Sequence, residues 1–418
     1  MTAGSVATST AHPASVAVLD QIAGYERPTK RDEAWRYAPH SQLAQLSFGP
    51  PHTPAPPLPG DVEQQIPAIE GPTIVIVNGV FDSVHSKLGD LPTGLVISSL
   101  AAAATIEPER LDRHFPPMAH DAFMAANLAF GTDGAVIRVG EGVCLQTPVH
   151  IVDILVPGED HNGSCTGVVI DLGPSSSATV IETRIGGSSA DQEVAGGSNV
   201  RTTITLAASA SLEHIVLQDL PRSLVHLGAV EVTQAEGSEF LGRSFNIGAS
   251  FGRMAYQVEL VGDGARTELS GLFFGRGEQV LDQQITVVHG AKDCVSTQSF
   301  RGVLDDQSVG VFNGGIDVRP GADGTDATQS NANLLLSNRA EINTQPRLEI
   351  LADDVACKHG ATVGQLDETA LYYMRSRGIP AEEARRLLIN AFADQTLEGV
   401  GIETIRDWVI QRLGHTDD

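Results

Sequence analysis

Residues 230–240 read VEVTQAEGSEF and residues 258–268 read VELVGDGARTE. Each is a short apolar–polar alternation, then a turn of small residues, then a second alternation. The unit recurs as Ile170-Asp171-Leu172 before GPSSSATV, Ile204-Thr205-Leu206 before AASASLEH, and Ile285-Thr286-Val287 before VHGAKDCV. It appears twice more, as Ile316-Asp317-Val318 before RPGADGTD and Leu348-Glu349-Ile350 before LADDVACK. The seven starts lie 26 to 34 residues apart. Alternation with period two is a strand signal, one face in and one face out. A unit this short cannot bury its apolar face alone, so neighbours must stack. The spacing therefore predicts a mainly β chain built around a parallel β-helix. The alternative is an antiparallel sandwich with strands of similar length, but the Asn-Gly hairpin signal occurs only at Asn78-Gly79, Asn162-Gly163 and Asn313-Gly314.

Outside the repeat the chain changes character. The first 48 residues read as helical, with RDEAWRYAP over 31–39, and residues 50–60 (PPHTPAPPLPG) form a stiff proline-dense connector. Strands are predicted at 73–79 and 95–99, and a helical insertion near 105–130. After residue 362 the pattern becomes helical again. Asp367-Glu368 starts a helix that Gly378 stops, and Pro380 opens a second. Ala384, Leu387, Leu388, Ala391 and Phe392 fall on one stripe of that helix, and Ile402, Ile405, Trp408, Val409 and Leu413 on one stripe of a third. The organisation predicted is a helical region with its connector (1–70), a β-helix core (71–362) and a C-terminal helical region (363–418).

Composition narrows the function. Apolar residues are 41% of 418, aromatics only 5%, and there are 43 glycines, which suits stacked rungs of small branched side chains. A formal charge of −25 argues against nucleic acid or an anionic membrane as partner. The longest near-apolar stretch, 95–106, is too short to span a bilayer. The N-terminus carries no basic, apolar leader, so the expected compartment is the cytoplasm. The four cysteines (144, 165, 294, 357) are scattered without a CxxC. No GxxxxGK[ST] or HExxH occurs, so neither ATP hydrolysis nor any conventional enzyme activity is expected of the chain.

One segment stands apart. ADDVACKHGAT (352–362) places Cys357 and His359 two residues apart, on the same face if the segment is a strand. Thiolate and imidazole both suit iron or iron–sulfur clusters. The structural alternative is a buried cysteine beside a histidine bonded to a carbonyl.

The stretch from Leu348 to Phe392, LEILADDVACKHGATVGQLDETALYYMRSRGIPAEEARRLLINAF, resembles the SufB/SufD family of iron–sulfur cluster assembly proteins, on its SufD side. GVLDD (302–306), VFNG (311–314) and RDEAWRYAP (31–39) fit as well. The resemblance implies a right-handed parallel β-helix between helical segments. It implies pairing with a SufB-like paralogue through the β-helices, and docking of a SufC-type ABC ATPase on the C-terminal helices. There Leu371, Tyr372, Leu387, Leu388 and Phe392 are the expected contacts. It further implies a cluster held transiently at the SufB–SufD interface, with His359 and Cys357 as the metal-binding residues there and no cofactor bound tightly by the isolated chain. A homodimer of the isolated chain is left open. A SufB-type scaffold is the alternative within the family, and a β-helix carbohydrate-active enzyme the alternative outside it.

Overall fold

A computed structural model of the chain describes residues 26–51, 55–58, 60–112, 114, 121–156, 163–187 and 196–414. The helical reading of residues 1–25, parts of the connector (52–54, 59) and of the insertion (113, 115–120), and Asn162 of one hairpin signal lie outside the described residues.

Among those residues the strands are β1 (Thr73–Val77), β2 (Val80–Phe81), β3 (Leu95–Ser99), β4 (Gly134–Val139), β5 (Val149–Leu155), β6 (Gly163–Leu172), β7 (Ser177–Gly186), β8 (Gly196–Leu206), β9 (Ser211–Gln218) and β10 (Leu224–Gln234). They continue as β11 (Glu239–Asn246), β12 (Phe251–Leu260), β13 (Arg266–Gly275), β14 (Val280–His289), β15 (Val295–Leu304), β16 (Val309–Val318), β17 (Thr325–Leu335), β18 (Glu341–Ile350) and β19 (Val355–Gly364). Successive strands alternate between two sheets. One runs β19-β17-β15-β13-β11-β9-β7-β5-β1-β2, the other β18-β16-β14-β12-β10-β8-β6-β4-β3. Pairing is parallel throughout except for β1 with β2 and β3 with β4, which close one end. This is the parallel β-solenoid that the repeat predicts.

The first alternation of each of the seven repeat units lies in the second sheet. Ile170, Ile204, Val232, Val258, Val287, Ile316 and Leu348 stand in one in-register column. All but Leu348 are buried. In the third unit Val232, not Val230, stacks on Ile204. A two-residue offset keeps the face, because the side-chain period is two. The small-residue turns are a second ladder. Ser175, Ser209, Gly237, Gly264, Asp293 and Gly324 each have positive φ. Each donates its N–H to a carbonyl of the next turn, as Asp293 does to Asp323 and Gly324 to Asp354. At Gly324 a Cβ would lie 2.2 Å from Asp293 Oδ1, so both the conformation and the space demand glycine.

Both outer faces are covered. Over the nine-stranded sheet lie the N-terminal segment and the insertion. Trp35 packs near Phe123 and Phe251, with the Arg253 guanidinium 3.9 Å from its ring centroid. This docking replaces most of the helix expected before residue 48. Among the described residues only a 3₁₀ turn (Glu33–Trp35) and one helical turn (His40–Leu43) form. Trp35 needs an irregular path across the sheet, and Pro39 cannot extend a helix into its neighbour. The insertion is three short helices, Leu100–Ile106, Pro108–Asp112 and Ala122–Phe130, so it begins earlier than the composition shift indicates. Ser99 caps the first and Asp121 the last.

Over the ten-stranded sheet lie two of the three C-terminal helices. The first, Glu368–Ser376, is capped by Asp367, which accepts from Thr369 N, and stops at Gly378 with φ 88°. The second, Ala381–Leu397, follows Pro380 at its N-cap, and the third is Glu403–Gly414. The second and third bury Ile389, Ala393, Leu397, Ile405, Trp408 and Val409 in one cluster with Phe245, Leu272, Phe274 and Val303 of the sheet.

Candidate functional site

The two ends of the solenoid differ. The first is closed by antiparallel strands and helices. At the other, β18 and β19 are the outer strands of their sheets, each paired on one side only. Neither has a fully buried residue, whereas β17 alternates buried and exposed. Such an end presents unpaired backbone groups and inward-facing side chains with nothing stacked above them.

Cys357 and His359 lie on β19. In register, Cys357 stands over Ala327 and His359 over Gln329. Ala327 and Gln329 are both buried, so the pair continues two interior columns into the open rung. The period-two expectation thus holds. The two side chains share a face and differ in access: His359 is exposed, while Cys357 is half-buried against Ile316, Val318, Ala322 and Ala327. Burial, helped by the negative charge of Asp326, pushes the Cys357 thiol up, which keeps it protonated and a weak ligand until it is deprotonated. Among the described residues no group of three or more His, Cys, Asp or Glu side chains is placed to hold a metal ion. The rung therefore offers two donors, fewer than a closed iron or zinc site takes.

Two family descriptions match. "SufBD protein N-terminal region" covers residues 16–151, and "SUF system FeS cluster assembly, SufBD core domain" covers residues 155–392. This chain belongs to the SufBD family. Relatives align over most of its length. The iron–sulfur cluster assembly protein SufD of Escherichia coli is 30% identical over 404 residues, 95% of this chain and 90% of that one. An iron–sulfur cluster assembly SufBD family protein of Synechocystis sp. is 28% identical over 393 residues, 93% and 87% of the two chains. SufD of Bacillus subtilis is 26% identical over 339 residues, 78% and 75%.

In this SufBD chain the C-terminal residues expected to contact the ATPase divide into two groups. Tyr372 is 75% exposed and Leu387 42%. Leu371, Leu388 and Phe392 are half-buried, and Phe392 lies under the Arg301 guanidinium, 4.7 Å from its ring centroid. The face of the second helix that packs on the sheet is Ala384, Ile389, Ala393, Thr396 and Leu397, rotated from the stripe drawn through Leu387 and Ala391. The rotation arises because the groove that receives the helix lies on the outer sheet face, which helix spacing alone does not locate. The first helix buries no residue at all, and Tyr373 beside Tyr372 is 58% exposed. Sequence reasoning passed over the interior amides Gln329, Asn331 and Asn333 beneath the open rung. The signal for the amides is their parity: they fall at every second residue of β17, the interior positions of that strand.

Proposed function

We propose that the chain is the SufD-type subunit of a scaffold on which iron–sulfur clusters are assembled, and that it is not an enzyme in its own right. The observation that carries this reading is the open last rung, with His359 and Cys357 on a strand whose outer edge is unpaired. A SufB-type paralogue pairs there and supplies the donors that two side chains cannot. The cluster is cargo, held while it is built and then passed on. His359 contributes an imidazole nitrogen. Cys357 contributes less, because burial and Asp326 disfavour its thiolate. A SufC-type ABC ATPase docks on the exposed face of the first two C-terminal helices, around Tyr372, Tyr373 and Leu387. Nucleotide chemistry belongs to that partner, since this sequence has no phosphate-binding GxxxxGK[ST] loop. Among the described residues no helix is long and apolar enough to cross a membrane, and we place the complex in the cytoplasm. In the absence of the paralogue, a second copy of this chain covers the same end.

The test is iron per complex after anaerobic co-purification with SufB-type and SufC-type partners. His359→Ala is expected to leave complex formation and melting temperature unchanged while cutting iron content. Cys357→Ser is expected to cut it less. Normal iron in the His359→Ala complex overturns the assignment.

A further inference from the structure

Beneath His359 the solenoid interior carries an ordered chain of side-chain amides. Gln298 Nε2 donates to the Gly315 carbonyl at 3.2 Å, and Gln329 Nε2 donates to Gln298 Oε1 at 3.2 Å. Both glutamines are buried, 0% and 2% exposed. This chain fixes which way the Gln329 amide faces. Gln298 has its nitrogen committed to a carbonyl, so its oxygen can only accept, and the group that meets it must be the Gln329 NH₂. Gln329 Oε1 is left buried with no hydrogen-bond partner. The opposite wall is shaped to keep the amide there. At Gly314 a Cβ would lie 1.5 Å from Gln329 Nε2, so any larger residue would displace it. An unpartnered buried acceptor is costly, and its presence calls for an explanation.

The group in register with Gln329 on the next strand is His359. In-register neighbours on one sheet face stand about 4.8 Å apart, and an exposed imidazole at an open rung is free to turn toward its neighbour. We infer that Gln329 is a positioning residue for His359: its Oε1 accepts the ring N–H, fixes one tautomer, and so presents the other nitrogen, with its lone pair, to the open end. This is how ligating histidines are commonly oriented, by a hydrogen bond to the nitrogen that does not bind the metal. The inference rests on the reading of His359 as a cluster or iron ligand, but it concerns the isolated chain before any metal arrives.

The experiment uses the full-length chain, metal-free and labelled with ¹⁵N-histidine, with the His359 signals assigned by their loss in His359→Gln. The ring ¹⁵N shifts report the tautomer. The wild type is expected to show one dominant tautomer at His359. Gln329→Met is expected to give the averaged shifts of a solvated imidazole, with the other histidines unmoved. Gln329→Glu, which keeps an acceptor oxygen at the site, is expected to restore the single tautomer. If wild-type His359 already shows averaged shifts, the inference is overturned without recourse to any variant. It is equally overturned if Gln329→Met folds and leaves a single tautomer. Neither outcome bears on iron content, so the site assignment and this inference stand or fall separately.

Discussion

Asp153 sits inside the solenoid, where burial pushes its carboxyl up to about 6 against the pull of Arg184 and a 3.1 Å hydrogen bond from Thr166. The unfolded chain releases that proton near 3.8. Between these values the native state binds more protons than the unfolded one, so this group makes stability fall as pH rises from about 4 to about 6. The limit is about 3 kcal/mol at neutral pH. Asp153→Asn should remove that decline, and the wild-type and variant urea midpoints should converge toward pH 4 and separate toward pH 7. Parallel curves would refute the shift. The comparison must be a difference, because His150 and His289, each lowered to about 4 by burial, act in the opposite sense as pH falls below 6.5. A rung away, Glu182 accepts from Arg184, His214 and Thr202 at 2.7 to 2.8 Å. Burial alone would raise its carboxyl, but Arg184 and His214 outweigh it and hold it well below the carboxylate range. Glu182→Ala should cost about 3–5 kcal/mol in urea unfolding, since Arg184 is then a buried charge without its carboxylate. Little of this polar interior is legible in the sequence. A polar residue in an alternating strand reads as outward-facing, and Glu182, Arg184, Gln298, Gln329 and Asn331 all point in. Cys357 and His359 were legible because their parity relative to each other does not depend on which face is the core.

At the scale of elements, the strands were written in the sequence more plainly than the helices. A stacked column repeats its apolar signal every turn, so Ile170 through Leu348 confirm one another. A helix laid on a sheet has only its own stripe, and the true inward face, Ile389-Ala393-Leu397, was hidden by an equally apolar neighbouring line. The distinction gives a test. Ile389→Ala should destabilise the chain by about 2–5 kcal/mol, because it empties a site packed on the sheet. Tyr372→Glu with Leu387→Glu, on the outward face, should leave the melting temperature within a degree or two yet abolish co-purification of the ATPase. Retention of the ATPase by that double variant would move the docking site elsewhere. Deleting everything after Gly364 is the poorer experiment. It uncovers Phe245, Leu272, Phe274 and Val303 along the outer sheet face, and the truncated chain should bind a hydrophobic dye and aggregate.

For the whole molecule the proposed assembly turns on the open end. Elsewhere the described residues cover parts of the solenoid: antiparallel strands at the first rung, Trp35 and the insertion on one face, two helices on the other. The last rung leaves three large apolar side chains in water, with Ile350 40%, Leu351 54% and Val363 52% exposed. They flank the unpaired edges of β18 and β19. Under the proposed pairing, two surfaces of this kind, from two SufBD chains, complete each other's sheets by backbone pairing. Two copies of this chain, each carrying a formal charge of −25, repel one another, so a homodimer should tighten as salt rises toward and beyond about 0.15 M, where the screening length falls to about 8 Å. A less acidic paralogue would not need that help. Ile350→Asp with Val363→Asp adds charge at the rung without emptying a packed site. The double variant should keep its melting temperature, weaken pairing at least tenfold, about 1.4 kcal/mol, and sediment as a monomer at salt concentrations where the wild type associates. Undiminished pairing with the SufB-type partner would show that the subunits meet through another face, and that His359 does not lie at the junction between them.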